Sequence, residues 1–373
     1  MSTNKLPRVL LLIPHLGGGG AERVMELLAR KLNPKKYELH LGLVTQTETD
    51  AKLSLACVCV HCLGAARVRG GALSLLKLVR QIKPDLILSG MFHLNFLVLL
   101  LRPLFPRKTR ILVRQNGTIS SALVFAKHPL RTHLLYKLLY RNANKVICQT
   151  RSMAEDLSVE LGLSETRITV LPNPVDVEMI RNFTVANLEL KADSGPQLLA
   201  VGRLSREKGF DLLLRALASL HGLYPETRLL IAGEGPEEVT LKAECRALGL
   251  DSSVNFAGQI AQPWTLFPDA ALFVLSSRHE GMPNALLEAA AGGLPIVALP
   301  SSGGVVDLLR GQPGVWLAPE VSAEALAAAL LAALQSLRPG ERFSHSFVDD
   351  FGIGRAIEAY EQLIDGTLED KRR

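Results

Sequence analysis

Short, fully apolar runs alternate with helical patterns along this chain, and the whole alternation occurs twice. In the first series, residues 9–13, 39–44, 86–88, 111–114 and 146–149 read as strands, with helices at 21–32 and 73–82. The second series starts after residue 195. Strands are expected at 198–201, 228–232, 254–257, 272–275, 295–299 and 314–317, and helices at 210–220 and 237–248. A strand with no polar alternation is apolar on both faces, so helices must cover both sides of its sheet. That arrangement belongs to parallel sheets built from strand–helix–strand units. The pattern predicts an α/β chain of two doubly wound Rossmann-like domains facing each other across a cleft. The expected boundaries are a domain over 1–178, a polar linker over 179–195, a second domain over 196–345, and a C-terminal helix within 346–373 returning to the first domain. The length of 373 residues agrees, because single cores rarely grow past about 250–300 residues.

Charge divides along the same line. Residues 1–180 carry 25 basic and 12 acidic side chains, a net of +13, and the remainder carries a net of −7. Between Arg67 and Arg151 there are 16 basic residues and a single acidic one, Asp85. Such asymmetry points to two domains with different partners. Apolar residues make up 48% and charged residues 21%, a globular balance rather than a disordered one. No apolar stretch reaches the ~18–20 residues that span a bilayer; the leucine-rich stretch 94–101 is closed by Arg102 and Pro103 and reads as a buried core helix. The run at 9–13 is shorter than a signal-peptide core and has no small-residue cleavage site, so it is read as the first buried strand of a cytoplasmic protein.

Five cysteines are too few and too unevenly placed for a disulfide framework. Cys57, Cys59 and Cys62 with His61 do not have the spacing of zinc ligand pairs, and no second pair follows. The segment 56–62 reads as a strand with Cys57 and Cys59 on one face.

In doubly wound sheets, ligands bind outside the carboxyl ends of the strands, which directs attention to four loops. After the first strand, Gly17 to Gly20 precede Ala21-Glu-Arg23 and open a helix; glycines permit close backbone approach, and a helix N-terminus offers N–H groups to anions. The spacing is neither a dinucleotide fingerprint nor a Walker loop. After residue 201, Gly202-Arg-Leu-Ser-Arg-Glu-Lys-Gly209 presents Arg203 and Lys208, suited to phosphate oxygens as a fork and a point charge. After residue 232, Gly233-Glu-Gly-Pro236 reads as a tight turn into a helix. After residue 275 comes Ser276-Ser-Arg-His-Glu280-Gly-Met-Pro-Asn-Ala-Leu-Leu-Glu288, with a helix starting near Pro283. Were both Glu280 and Glu288 helical, they would stand about 12 Å apart, well beyond the roughly 5–5.5 Å of a retaining glycosidase pair. They read as two grips on one extended ligand. Glu288 sits among Leu286, Leu287, Ala289 and Ala290, a mostly buried helix in which a carboxylate wants a partner.

Taken together, these motifs resemble glycosyltransferase family 4, a GT-B fold group of retaining, nucleotide-sugar-dependent enzymes. The resemblance runs through GGGGAERV, the segment ending in VLPNPVD, VGRLSREKGF, IAGEGPE, the E-x₇-E signature from Glu280 to Glu288, and Gly292-Gly-Leu-Pro-Ile-Val297. It implies that Arg203 and Lys208 hold the donor diphosphate, that Glu280 lies near the donor sugar hydroxyls, and that Glu288 binds the ribose. Backbone amides of Gly281, Met282, Pro283, Asn284, Ala285 and Leu286 form the turn that meets sugar and phosphate. Gln259 and Ile260 fall where the family contacts the base, and Gly18, Gly19 and Gly20 match the loop closing over the diphosphate. Many members carry a histidine near the reacting sugar; here that segment is Val113-Arg-Gln-Asn-Gly117, similar to the variant found among amino-sugar transferases. Arg114, Asn116 and His93 are the candidates for that contact.

The resemblance implies transfer of a sugar from a nucleotide-sugar, a UDP-N-acetylhexosamine or UDP-hexose, to a glycan or lipid-linked acceptor in cell-surface polysaccharide or lipopolysaccharide synthesis. Arg203, Lys208 and Glu280 are the catalytic candidates. No Asp-x-Asp motif occurs, so protein cations are expected to replace a metal, with no cofactor beyond the co-substrate. A nucleotide-sugar epimerase of the same fold and a non-catalytic sugar-nucleotide-binding protein are the alternatives. The acceptor-binding half carries the excess of basic residues, which suits an anionic membrane surface rather than nucleic acid. A peripheral position on the cytoplasmic face of the inner membrane is expected.

Overall fold

A computed structural model of the chain describes residues 5–16, 19–45, 57–124, 126–188 and 195–369. They fall into two compact units, one reaching to Pro174 and resuming at Gly354, the other Val175–Ile353.

The first unit contains strands β1 (Arg8–Ile13), β2 (Glu38–Leu43), β3 (Val58–Cys62), β4 (Leu86–Ser89), β5 (Arg110–Arg114), β6 (Lys145–Cys148) and β7 (Ile168–Val170). They form one parallel sheet in the order β3-β2-β1-β4-β5-β6-β7. Side chains of β1 alternate between two cores. Leu10 and Leu12 enter one, and Val9, Leu11 and Ile13 the other, which is why the strand needs apolar residues at every position. Helices α1 (Gly20–Lys31), α2 (Ala72–Ile82), α3 (Phe92–Leu101), α4 (Ile119–Val124), α5 (Pro129–Leu139) and α6 (Arg151–Leu161) flank the sheet. The apolar stretch at 94–101 is indeed a core helix: Leu94, Leu97, Val98, Leu99 and Leu101 of α3 are buried, and Leu100 is exposed. Cys57, Cys59 and Cys62 are exposed free thiols on or beside the edge strand β3. His61 faces His40 of β2 at 3.0 Å. Among the described residues, no three His, Cys, Asp or Glu side chains gather in a way that could hold a metal ion, and no helix is long and apolar enough to cross a membrane.

The second unit opens with α7 (Val177–Ala186), where a linker over 179–195 was expected. The Asp176 carboxylate caps the helix by accepting from the Met179 amide at 3.3 Å. Val177, Ile180 and Thr184 share a buried face at helical spacing. The polar residues between them concealed this stripe in the sequence, and the stretch read as a linker thus starts inside a packed helix. Strands β8 (Gln197–Val201), β9 (Arg228–Ala232), β10 (Val254–Phe256), β11 (Leu272–Leu275), β12 (Ile296–Ala298) and β13 (Val315–Leu317) pair in the order β10-β9-β8-β11-β12-β13, again all parallel. Helices α8 (Phe210–Leu220), α9 (Glu238–Ala247), α10 (Asn284–Ala291), α11 (Gly303–Leu309) and α12 (Ala323–Ser336) complete the unit.

The last helix, α13 (Ile353–Glu369), belongs to the first unit. Tyr360 and Ile364 join the core that receives α1. Lys36 donates to Glu361 at 2.6 Å, and the Tyr37 hydroxyl donates to Asp365 at 2.6 Å. Burial, then the Asp365 carboxylate, push the Tyr37 phenol above its ordinary range.

His345 is 2% exposed, with Nε2 on the Leu294 carbonyl at 2.8 Å. Burial holds its imidazolium form below the ordinary range, as it does for His61. The folded state therefore binds fewer protons than the unfolded state, and this contribution to stability is lost as pH falls below the unfolded value of about 6.5. The melting temperature should drop between about pH 7 and pH 5.5, above the range where carboxylates titrate. His345→Gln should flatten the drop, and an unchanged pH profile in that variant would remove the assignment.

Candidate functional site

The order of the second sheet reverses between β8 and β11. The loops leaving these two strands therefore emerge side by side at the carboxyl edge, the position that binds ligands in open α/β sheets. One loop runs from Gly202 to Gly209 and carries Lys208 at the end of a short 3₁₀ turn, Arg206–Lys208. The other runs from Ser276 to Pro283. They are stitched together by Ser276 Oγ donating to the Lys208 carbonyl at 2.9 Å and by the Arg278 amide donating to the Glu207 carbonyl at 2.8 Å.

These bonds bring Lys208 and Glu280 into direct contact. Lys208 Nζ donates to Glu280 Oε1 at 2.6 Å, and Ser277 Oγ donates to the same oxygen, also at 2.6 Å. The Glu280 side chain is 8% exposed, and these two donors take the place of water at its Oε1. Among the described residues no donor meets Oε2. Immediately beyond, α10 starts at Asn284 with Pro283 at the capping position and no side-chain cap. Its first amides face back along the axis toward the Glu280–Pro283 turn, a site of positive potential. Glu288 is buried one turn inside α10, together with Leu286, Leu287 and Ala289 to Ala291. Gly281 and Pro283 are buried, and Met282, Asn284 and Ala285 are half-buried.

A third loop, after β9, closes against the first. Leu204 donates to the Glu234 carbonyl at 2.9 Å, and the Glu237 amide donates to the Leu204 carbonyl at 3.0 Å. The Glu234 carboxylate accepts the Gln259 amide at 3.3 Å; Gln259 is exposed and Ile260 half-buried. Arg203 lies on the Lys208 loop with its side chain exposed to solvent.

Two residues with no motif of their own fix this arrangement. Arg278 forks onto Asp211 at 2.7 and 2.6 Å, and also donates to the Arg206 carbonyl at 3.0 Å. Asp211 lies in the first turn of α8, so the pair ties the turn carrying Lys208 to the loop carrying Glu280. Burial alone would raise the Asp211 carboxyl, but the hydrogen bonds and charge of Arg278 pull it below the ordinary carboxylate range. Ser277 and Arg278 adjoin Glu280, and Asp211 follows Gly209-Phe210; adjacency to the motifs was their only signal in the sequence.

The first unit treats its candidates differently. Gly19 is the N-cap of α1 and Gly20 its first residue, with the buried Glu22 in the first turn; Gly18 lies outside the described residues. Arg114, a candidate sugar partner, lies at the end of β5 with its side chain 1% exposed. Its guanidinium donates to Asn116 Oδ1 at 2.6 Å and to Asn173 Oδ1, and Asn116 in turn donates to the Gly90 carbonyl. These groups hold the strand-end loops of the first sheet to one another. Asn173, from the VLPNPVD segment, thereby acquires a structural explanation. His93 sits at the surface in the first turn of α3 with its ring against Phe92, 4.5 Å between centroids. A cavity of about 230 Å³ lies elsewhere, beside the C-terminal end of α10, and contains none of the predicted residues.

Two doubly wound parallel-sheet domains, the second with a cation–carboxylate pair and a helix N-terminus at its switch point, are the domain architecture of the GT-B class. The family model described as Glycosyltransferase Family 4 matches residues 18–179, and that described as Glycosyl transferases group 1 matches residues 186–345. The chain belongs to this family and is a hexosyltransferase. It is 30% identical to the lipopolysaccharide core biosynthesis glycosyltransferase LpsE of Rhizobium meliloti, over 69% of this chain and 73% of that one. It is 28% identical to the N-acetylgalactosamine-N,N'-diacetylbacillosaminyl-diphospho-undecaprenol 4-alpha-N-acetylgalactosaminyltransferase of Campylobacter jejuni, over 80% and 82% of the two chains. Among solved structures, HepE of Anabaena in complex with UDP and glucose shares the fold, with a TM-score of 0.79 at 18% identity and coverage of 96% and 99%.

Asp211→Asn keeps the shape of the side chain and removes the charge that grips Arg278. Turnover should fall by about 10- to 100-fold, the scale of a small misplacement of reacting groups, with an unchanged circular dichroism spectrum. Wild-type turnover in this variant would show that the pair does not position Lys208 and Glu280.

Proposed function

We propose that the chain is a retaining, metal-independent glycosyltransferase that moves a sugar from a UDP-N-acetylhexosamine or UDP-hexose to a lipid-linked glycan acceptor in cell-surface polysaccharide or lipopolysaccharide synthesis. The contact between Lys208 and Glu280 beside the N-terminus of α10 carries this reading. Breaking the glycosidic bond of a nucleotide-sugar leaves negative charge on the diphosphate oxygens. Lys208 and Arg203 supply cations for that charge, and the α10 amides supply a fixed positive dipole, so stabilisation is electrostatic and arranged in advance. Glu280 and Ser277 hold the ammonium in place. The Oε2 oxygen of Glu280 is suited to accept from donor-sugar hydroxyls, and Glu288 from the ribose. Gln259 and Ile260 are assigned to the base, and Gly18 to Gly20 to the diphosphate. Support for the donor and acceptor classes comes from relatives: HepE has been solved with UDP and glucose, and the Campylobacter jejuni enzyme is named for a diphospho-undecaprenol acceptor. The acceptor chemistry suggests peripheral attachment at the cytoplasmic face of a membrane.

Lys208→Ala should reduce turnover by about 10²–10³-fold, the scale for losing one stabilising group at a developing negative charge, with a wild-type circular dichroism spectrum and a lowered melting temperature, because the nearly buried Glu280 loses a partner. Near-normal turnover would remove the phosphate assignment. Activity should survive EDTA; loss restored by a divalent cation would overturn metal independence. A screen of nucleotide-sugars by thermal shift, followed by analysis of product anomeric configuration, tests the donor and the stereochemistry.

A further inference from the structure

Helix α5 is as apolar on its outward side as on its inward side. Tyr136 is buried against the first unit, yet Leu130 is 86% exposed, Leu134 56% and Leu138 55%. These three leucines recur every four residues and so line up in one stripe along the helix. Arg131 flanks the stripe on one side and Lys137 on the other. Both are exposed, and among the described residues neither forms an ion pair. The helix contains no acidic residue. Two carboxylates of α6 are engaged internally: Glu160 meets His133, and Asp156 accepts the amides of Ile119 and Ser120 at the start of α4. Val124, at the end of the adjoining α4, is a further exposed apolar side chain.

A helix at a protein surface ordinarily turns a polar face to water. One that is apolar on both sides calls for a second apolar medium. We infer that α5 docks on an anionic phospholipid surface, with Leu130, Leu134 and Leu138 entering the acyl boundary and Arg131 and Lys137 at the level of the phosphates. The charge pattern selects this occupant. In a two-fold contact between copies of the chain, the same stripe meets itself, which brings the flanking cations toward like cations. A lipid surface supplies the opposite charge along both edges. The inference rests on the lipid-linked-acceptor reading above and assigns to it the element that touches the membrane.

The test uses the full chain and vesicles of phosphatidylcholine alone or with about one-third phosphatidylglycerol. Co-sedimentation should occur with the anionic vesicles only and decline at high salt. The double variant Leu134→Ser/Leu138→Ser should lower the vesicle partition by at least about tenfold, and Arg131→Glu/Lys137→Glu should do so as well. Because these side chains are exposed, both variants should keep the wild-type circular dichroism spectrum and turnover on a soluble acceptor analogue. Wild-type partition in the serine variant, binding that ignores lipid charge, no binding at all, or a dimer that the serine variant dissolves would each overturn the proposal. Vesicle binding without sugar transfer would defeat the functional reading alone; transfer to a soluble acceptor without vesicle binding would defeat this one alone.

Discussion

At the carboxyl edge of the second sheet, backbone segments approach so closely that the position of a Cβ is occupied by a carbonyl oxygen. A Cβ on Gly209 would fall 2.1 Å from the Ser276 oxygen, and one on Gly233 would fall 1.8 Å from the Gly202 oxygen. Both glycines also have positive φ, +64° and +152°, a region that side chains rarely tolerate. Close approach is what allows a lysine from one strand-end loop and a glutamate from another to meet at 2.6 Å. With a bulkier residue at Gly209 these two loops would have to separate, and the charges would separate with them; at Gly233 it is the loop after β9 that would have to leave the Gly202 loop. The chemistry of the second unit thus depends on backbone packing before it depends on any charged side chain.

The charge pair has a cost as well as a use. Glu280 is nearly buried, and a carboxylate withdrawn from water is stable only with good partners. Lys208 and Ser277 both serve Oε1, and α10 presents its positive end just beyond. The same contacts fix both the Glu280 carboxylate and the Lys208 ammonium, so both groups are arranged in advance. Asp211 and Arg278 extend this logic outward. Their bidentate contact holds the two loops in register and touches none of the groups assigned to the donor.

Much of the fold was legible because the strands are buried on both faces. An uninterrupted apolar run such as that in β1, which feeds two cores at once, has few structural readings. Elements whose burial is one-sided were harder to see. The stripe of α7 is three residues wide, is interrupted by polar side chains, and lies in a stretch rich in the composition of a linker. In the site, charged residues inside glycine-bearing motifs stood out, since loop, sheet edge and helix start coincide there. Arg114 became a candidate for a related reason. A cation at the end of a strand looks like a ligand contact in sequence, and only the three-dimensional arrangement reveals that Asn116 and Asn173 each accept from its guanidinium. Asp211 and Arg278 were invisible because a long-range ion pair between loops has no sequence period.

Helix α5 was missed by the same rule, applied in reverse. Sequence periodicity detects a contrast between an apolar face and a polar one, and α5 has leucines on both. Its basic residues contributed to the charge excess over residues 67–151 without marking any particular surface. The structure resolves that excess into different roles. Arg114 is internal, Lys108 lies 3.9 Å from Asp85, and Lys145 donates to the Thr166 carbonyl. Arg131 and Lys137 differ in bordering exposed leucines. A net charge attracts a chain toward any surface of opposite sign, but it does not choose an orientation. A stripe of leucines bounded by cations on both edges does, because only one rotation of the helix places the apolar and charged groups at their preferred depths together.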